Sequence, residues 1–143
     1  MYNLEYLPCL LAVLFYSCSG IMDALMDTIK DHFSESIFSK LNQQFWNPSV
    51  SWTNKYKNHD HTQGHATFTI FGIRFNTIDA FSDAWHISKV IREGYIVLAI
   101  LSIFFCSSNC QTIQIIITFI SLLIFRNAAF VLFYNRIFMI KKW

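Results

Sequence analysis

The segment NTIDAFSDAWHISKVIREGYIVLAI, residues 76–100, decides how this chain is read. Its second half opens an apolar run that reaches Cys106. Its first half sets Asp79, Asp83, His86 and Glu93 directly before that run. Ionisable groups at the mouth of a membrane-length helix tend to pair or to line a wet cavity, because a lone charge in hydrocarbon is costly. An earlier segment, GIMDALMDTIKDHF at 20–33, places Asp23 and Asp27 just after another apolar run. Both segments contain the pattern Asp-Ala-apolar-x-Asp. The expectation is one polar site at one membrane face.

Composition supports a membrane setting. The chain has 143 residues, 54% hydrophobic and only 14% charged, where a soluble domain carries about 25% charged residues. The apolar residues cluster at 6–22, 94–106 and 113–140. Clustering of that kind points to spans in a single membrane domain over residues 1–143. The net charge is +2 with no polybasic run, which argues against a nucleic-acid partner. The expected partners are the lipid bilayer and other membrane subunits. No Lys or Arg precedes the first apolar stretch, so it lacks the basic start of a signal peptide. A lipoprotein cleavage site at Phe15–Cys18 is disfavoured by its bulky residues. The segment reads as a retained helix.

The fold class expected is an all-α membrane protein with three transmembrane helices, over about 4–22, 87–106 and 112–127. At ~1.5 Å per residue the first covers roughly 28 Å, close to the hydrocarbon thickness. Pro8 falls near its start, where a missing N–H costs little. The helix is expected to continue through DALMDTIKDHF. Residues 33–46 put Phe33, Ile37, Phe38, Leu41 and Phe45 on one side at helical spacing, which suits an interfacial helix. A polar and aromatic loop follows, with Asn-Pro, Ser and Gly as breakers. ATFTIFGIRF, residues 66–75, has the composition of a strand or hairpin arm. Residues 128–140 read as an amphipathic tail, with a fourth short span as the alternative.

Charge sets the expected orientation. All eleven Lys and Arg fall on one side of this scheme, and the N-terminal arm and the 106–110 turn carry none. The positive-inside rule then gives an inner-membrane, multi-pass protein with N-terminus out and C-terminus in.

Several constellations could carry chemistry. On one helix, Asp79, Asp83, His86 and Glu93 share a face, and Asp83-x-x-His86 has the carboxylate–imidazole spacing used in helical di-metal sites. Asp23 and Asp27 form a stripe on the first helix. Four carboxylates crowded at low dielectric need a cation or raised pKa values. A divalent Zn or Fe ion held by Asp23, Asp27, Asp83 and His86 is one reading; His32 lies on the opposite side of its helix and would need a break there to join. Solvated helix ends, with acids complementing the helix dipole, is the other. Glu93 and Arg126 are expected to form a buried ion pair near one boundary. NHDHTQGH offers a second cluster, His59, His61 and His65, either a metal-binding or a merely flexible loop. No Gly-rich phosphate loop, Gly-x-Ser-x-Gly, His-Glu-x-x-His or Cys-x-x-Cys occurs. Cys9 and Cys18 read as packing residues, and Cys106 and Cys110 as two thiols flanking a turn, with a disulfide between them as the alternative.

MDTIKDHFSESIF, FWNPSVSWTNKYKN and DAWH resemble a family of small bacterial integral membrane proteins of uncharacterised activity. The likeness covers roughly residues 20–90. Its motifs are His32-Phe33, Phe45-Trp46-Asn47-Pro48, Ser51-Trp52-Thr53-Asn54-Lys55-Tyr56 and Asp83-Ala84-Trp85-His86. The chain departs from the family pattern where ATFTIFGIRF stands in place of a Gly-Ser-rich segment. The resemblance implies a membrane class and nominates Asp23, Asp27, His32, Asp83 and His86 as a set. Two functions remain open: a non-enzymatic membrane module with a structural Asp/His network, or a metal-dependent hydrolase of lipid-like substrates in which Lys55 or Arg126 holds an anionic headgroup.

Overall fold

In the computed structural model the residues described are 6–76, 79–107 and 111–140, without the side chains at 68, 70, 75, 76, 106 and 107. Three long helices, α1 (Leu7–His32), α4 (Ala84–Ser107) and α5 (Thr112–Leu132), form the body. α4 and α5 each pack along α1 and scarcely touch one another. The chain runs up, down and up. At one end the Gln114 amide donates to the Tyr6 hydroxyl at 3.1 Å. At the other, Asp23 of α1 meets Arg92 of α4 and Arg126 of α5.

α1 can sit between two helices because its buried residues are mostly small: Cys9, Ala12, Ser19, Gly20 and Ala24. Small side chains let backbones approach closely. The Ser19 and Thr28 hydroxyls donate back to the carbonyls of Tyr16 and Ala24, so their burial leaves no orphan donor. Gly20 marks the crossing with α5. A Cβ there would lie 2.6 Å from the Arg126 carbonyl oxygen. α1 starts with Pro in its first turn, and α5 starts with a capping box between Gln111 and Gln114.

Among the described residues, two helical stretches, Leu7–Glu35 and Thr112–Ile137, are long and apolar enough to cross a membrane. Three were expected; α4 carries Lys89, Arg92 and Glu93 in its first half and an apolar run beyond Glu93. Large apolar side chains are nevertheless exposed along it, among them Val97, Ile100, Leu101 and Phe104, as they are along α5.

The expected interfacial helix over 33–46 does not form. The chain breaks into 3₁₀ turns at Phe33–Glu35 and Ile37–Lys40, then the single turn α2 (Gln43–Trp46). The cause is local. The Ser36 and Ser39 hydroxyls bond to the carbonyls three residues back, and Asn42 caps the Gln44 amide. The apolar side of this segment turns inward. Phe38 stacks on Trp46 with ring centroids 4.9 Å apart and meets Phe138 at 5.1 Å. Together with Ala24, Ile29 and Ala84 these build a core beside the charged end of the bundle.

Residues 128–132 are the last residues of α5 and not a separate element. α5 runs on through a π-helical turn, Phe133–Ile137. The chain then pairs with the segment after α1: the Ile37 amide donates to Phe138 O and the Ile140 amide to Glu35 O, each at 2.9 Å. α3 (Pro48–Ser51) and further 3₁₀ turns complete the polar loop. ATFTIFGIRF forms an antiparallel hairpin, β1 (Thr67–Ile70) and β2 (Ile73–Asn76). Both turn residues, Phe71 and Gly72, have positive φ, the conformation a two-residue hairpin favours.

Candidate functional site

The charged end of the bundle holds two adjoining polar groups. The first is centred on Asp23, whose side chain is 14% exposed. Its Oδ1 accepts from Arg92 Nη1 at 3.1 Å, and its Oδ2 accepts from Arg126 Nη2. Arg92 also donates to Glu93, which is 54% exposed. The Arg126 guanidinium lies over the Tyr16 ring, 5.5 Å from its centroid. Arg126 therefore pairs with Asp23, and the expected Glu93–Arg126 pair is replaced. Adjacent residues on a helix project about 100° apart, so α4 can turn only one of Arg92 and Glu93 toward α1. It turns Arg92. A carboxylate on the central helix is then within reach of a cation from each flank.

The second group is the start of α4. The helix begins at Ala84, so the single helix expected over 79–93 is not formed. Asp79 sits in a separate 3₁₀ turn, Asp79–Phe81, 3.9 Å from His65 Nδ1. Asp83 acts as the N-cap. Its Oδ1 accepts from the His86 amide at 2.9 Å, while its Oδ2 pairs with His86 Nδ1 at 2.8 Å and accepts from Ser82 Oγ at 3.2 Å. The i, i+3 spacing is thus that of a cap. Asp83 is 4% exposed and fully engaged. A carboxylate on Nδ1 fixes the imidazole's orientation and favours the Nδ1–H tautomer, which leaves Nε2 as the acceptor.

A cavity of about 190 Å³ adjoins this pair. Pro48, Ser51 and Trp52 line it from one side, Asp83, Trp85 and His86 from the other, and Lys30 from α1. The three sequence motifs quoted above therefore meet in one place. Asn54 joins them. Its Nδ2 donates to Gln44 O at 2.8 Å and to Ser82 O at 2.7 Å, while its Oδ1 accepts from Gln44 Nε2. A second cavity of about 520 Å³ shares Lys30 and Trp85 with the first and adds Asp23, Asp27, Arg92 and Arg126. Sequence reasoning did not single out Lys30, Arg92, Ser51 or Asn54 as a group. The signals available were the Arg92–Glu93 doublet and the place of Ser51 and Asn54 inside one motif.

The five nominated metal ligands are not gathered into one donor set. Asp23 is taken by two guanidiniums, Asp83 caps α4 and holds His86, Asp27 lines the larger cavity, and His32 stands edge-on to Tyr134 at 5.7 Å. Among the described residues no group of three or more His, Cys, Asp or Glu could hold a metal ion. Arg92 and Arg126 are the cations that answer the crowding of carboxylates. The loop histidines also stay apart in role. His59 approaches Gln44 Nε2 at 3.4 Å, His61 packs beside Trp52 and Tyr56, and His65 packs on Tyr56. Between them Asp60 caps its turn, and the Thr62 hydroxyl, Thr62 amide and Gln63 side chain hold its carboxyl below the ordinary value.

Cys9 is disulfide-bonded, not a simple packing residue, and Cys18 is free. The proposed Cys106–Cys110 thiols lie outside the described residues and side chains. Compared with protein-family models, curated proteins and solved structures, the chain matches none of them.

Proposed function

We propose that this chain is a small multi-pass protein of the inner membrane, N-terminus out and C-terminus in, that works as a non-enzymatic membrane module such as a subunit, anchor or scaffold. The observation that carries the reading is the Asp23–Arg92–Arg126 group, a structural bond between all three long helices at the end where basic residues gather. In this reading α4 is the third span, with Arg92 at its inner boundary and Glu93 turned outward. The disulfide at Cys9, near the start of α1, suits an oxidising outer compartment. The exposed apolar faces of α4 and α5 suit lipid contact. Cysteine labelling tests the topology. Gln111→Cys should react with an impermeant thiol reagent on intact cells, and Asn58→Cys should react only after lysis. Labelling in the reverse order would overturn the orientation.

One observation favours a second reading, hydrolysis of a lipid-like substrate at the membrane surface. Asp83 orients His86 in the way a general base is oriented, and Ser51 and Lys30 line the same cavity. A metal-free version is better supported than a metal-dependent one, since no donor set is assembled among the described residues. Release of fatty acid from a fluorogenic ester, lost in His86→Gln but kept in Glu93→Gln, would favour it. No turnover by the purified wild type would leave the module.

A further inference from the structure

We propose that the bundle carries a binding site for one anionic phospholipid, its phosphate held by Lys30, Arg92 and Arg126 and one acyl chain lying in the groove between α4 and α5. The proposal rests on the membrane reading above. The groove exists because α4 and α5 both rest on α1 and hardly meet each other. It has a volume of about 350 Å³ and is walled by Ile96, Ile100 and Ile103 from α4, Phe119 and Leu123 from α5, and Tyr16 from α1. Its lining is almost wholly apolar, as a hydrocarbon chain requires.

The groove ends at cations. Arg92 precedes Ile96 by one helical turn, and Arg126 follows Leu123 by about one turn. Arg126 also lies over Tyr16, a wall of the groove. Both arginines line the larger cavity with Lys30, Asp23 and Asp27. Asp23 pairs with both guanidiniums and Glu93, outside the lining, pairs with Arg92, while Lys30 makes no ion pair among the described residues. The Nε–H groups of Arg92 and Arg126 are buried and have no hydrogen-bond partner among the described residues. A buried donor left unpaired is costly, and phosphate oxygens are its strongest ordinary acceptor. Basic pockets between membrane helices on the inner side recognise anionic headgroups for this reason. A choline headgroup would bring a fixed cation into a cavity already lined by Lys30, Arg92 and Arg126.

The test uses the full chain purified in a neutral detergent. Native mass spectrometry compares retention of phosphatidylglycerol and phosphatidylcholine with identical acyl chains. Phosphatidylglycerol should be retained preferentially. Lys30→Gln should lower that preference about fivefold, the equivalent of one cation near an anionic headgroup. It should leave phosphatidylcholine unaffected. Lys30 is exposed and makes no ion pair among the described residues, so this variant leaves the helix bonds intact. Ile100→Trp, at an exposed position in the groove, should weaken retention of both lipids. Equal retention of the two lipids would overturn the site, as would an unchanged preference in Lys30→Gln. Inorganic phosphate binding as tightly as the lipid would also overturn it, because the groove would then contribute nothing. These outcomes leave the membrane reading standing. Release of the chain from membranes by alkaline carbonate, into solution without detergent, would instead overturn the membrane reading itself.

Discussion

Adding one methyl group at Gly20 should destabilise this protein, while the same change at Gly94 should not. At Gly20 the new Cβ would stand 2.6 Å from the Arg126 carbonyl oxygen, 3.0 Å from Arg126 Cγ and 3.3 Å from its carbonyl carbon. Ordinary contact begins near 3.4 Å. The closest neighbour is backbone inside a helix, so it cannot yield as a side chain would. α1 and α5 must separate, and Arg126 is drawn away from Asp23 as they do. Overpacking of this kind costs about 1–3 kcal/mol. The helix-propensity gain of alanine over glycine returns at most about 1 kcal/mol. With a backbone obstacle the cost should sit at the upper end, leaving a net loss of roughly 1–2 kcal/mol. A Cβ added at Gly94 would meet nothing within 4 Å, so Gly94→Ala keeps the propensity gain alone. Thermal unfolding in detergent, followed by circular dichroism, should show Tm falling by roughly 3–8 °C for Gly20→Ala and unchanged or raised for Gly94→Ala. Equal or greater stability of Gly20→Ala would refute the close crossing of α1 and α5.

Three further outcomes follow from the same contacts. Asp23→Asn removes the charge that both guanidiniums share and should cost about 1.5–3 kcal/mol; Glu93→Gln, at a half-exposed position, should cost far less, and equal losses in a melting comparison would contradict the assignment of pairs. Asn54→Ala leaves two carbonyls without their donor and should expose the start of α4 to faster amide hydrogen exchange, beginning at His86; unchanged exchange there would show that the staple is redundant. The folded pKa of Asp60 lies below its ordinary 3.8, so its contribution to loop order is complete above that value and fades as the pH falls through the lower folded value. NMR signals of Thr62 and Gln63 should therefore hold steady from neutral pH down to about the ordinary aspartate range and change only below it, and a transition near neutrality would point to the histidines instead.

The sequence alone determined the three long helices, because each is an apolar run without an interior Pro and with its ionisable residues gathered at one end. It marked ATFTIFGIRF as a strand or hairpin arm by its β-branched and aromatic content, with the Phe71-Gly72 turn added by the structure, and it pointed to ionisable residues at 23–32 and 79–93 as the polar end. It did not determine the partners within that site. A helical residue's neighbour projects about 100° away, so choosing Arg92 over Glu93 for the inward face depends on how α4 is rotated against α1. That rotation depends on how α4 packs against the buried small residues of α1, information spread along the helix and not held in any motif. Only the tertiary structure placed Asp23 between two arginines, whose guanidiniums balance its charge. The same limit applies to residues 33–46 and 128–140. The apolar spacing of both suits an interfacial helix; over 33–46 the competition of Ser36, Ser39 and Asn42 for local backbone groups broke the helix, while 128–137 stayed helical. The burial of Phe38 against Phe138 then fixed the two segments together, a long-range contact that no local periodicity encodes.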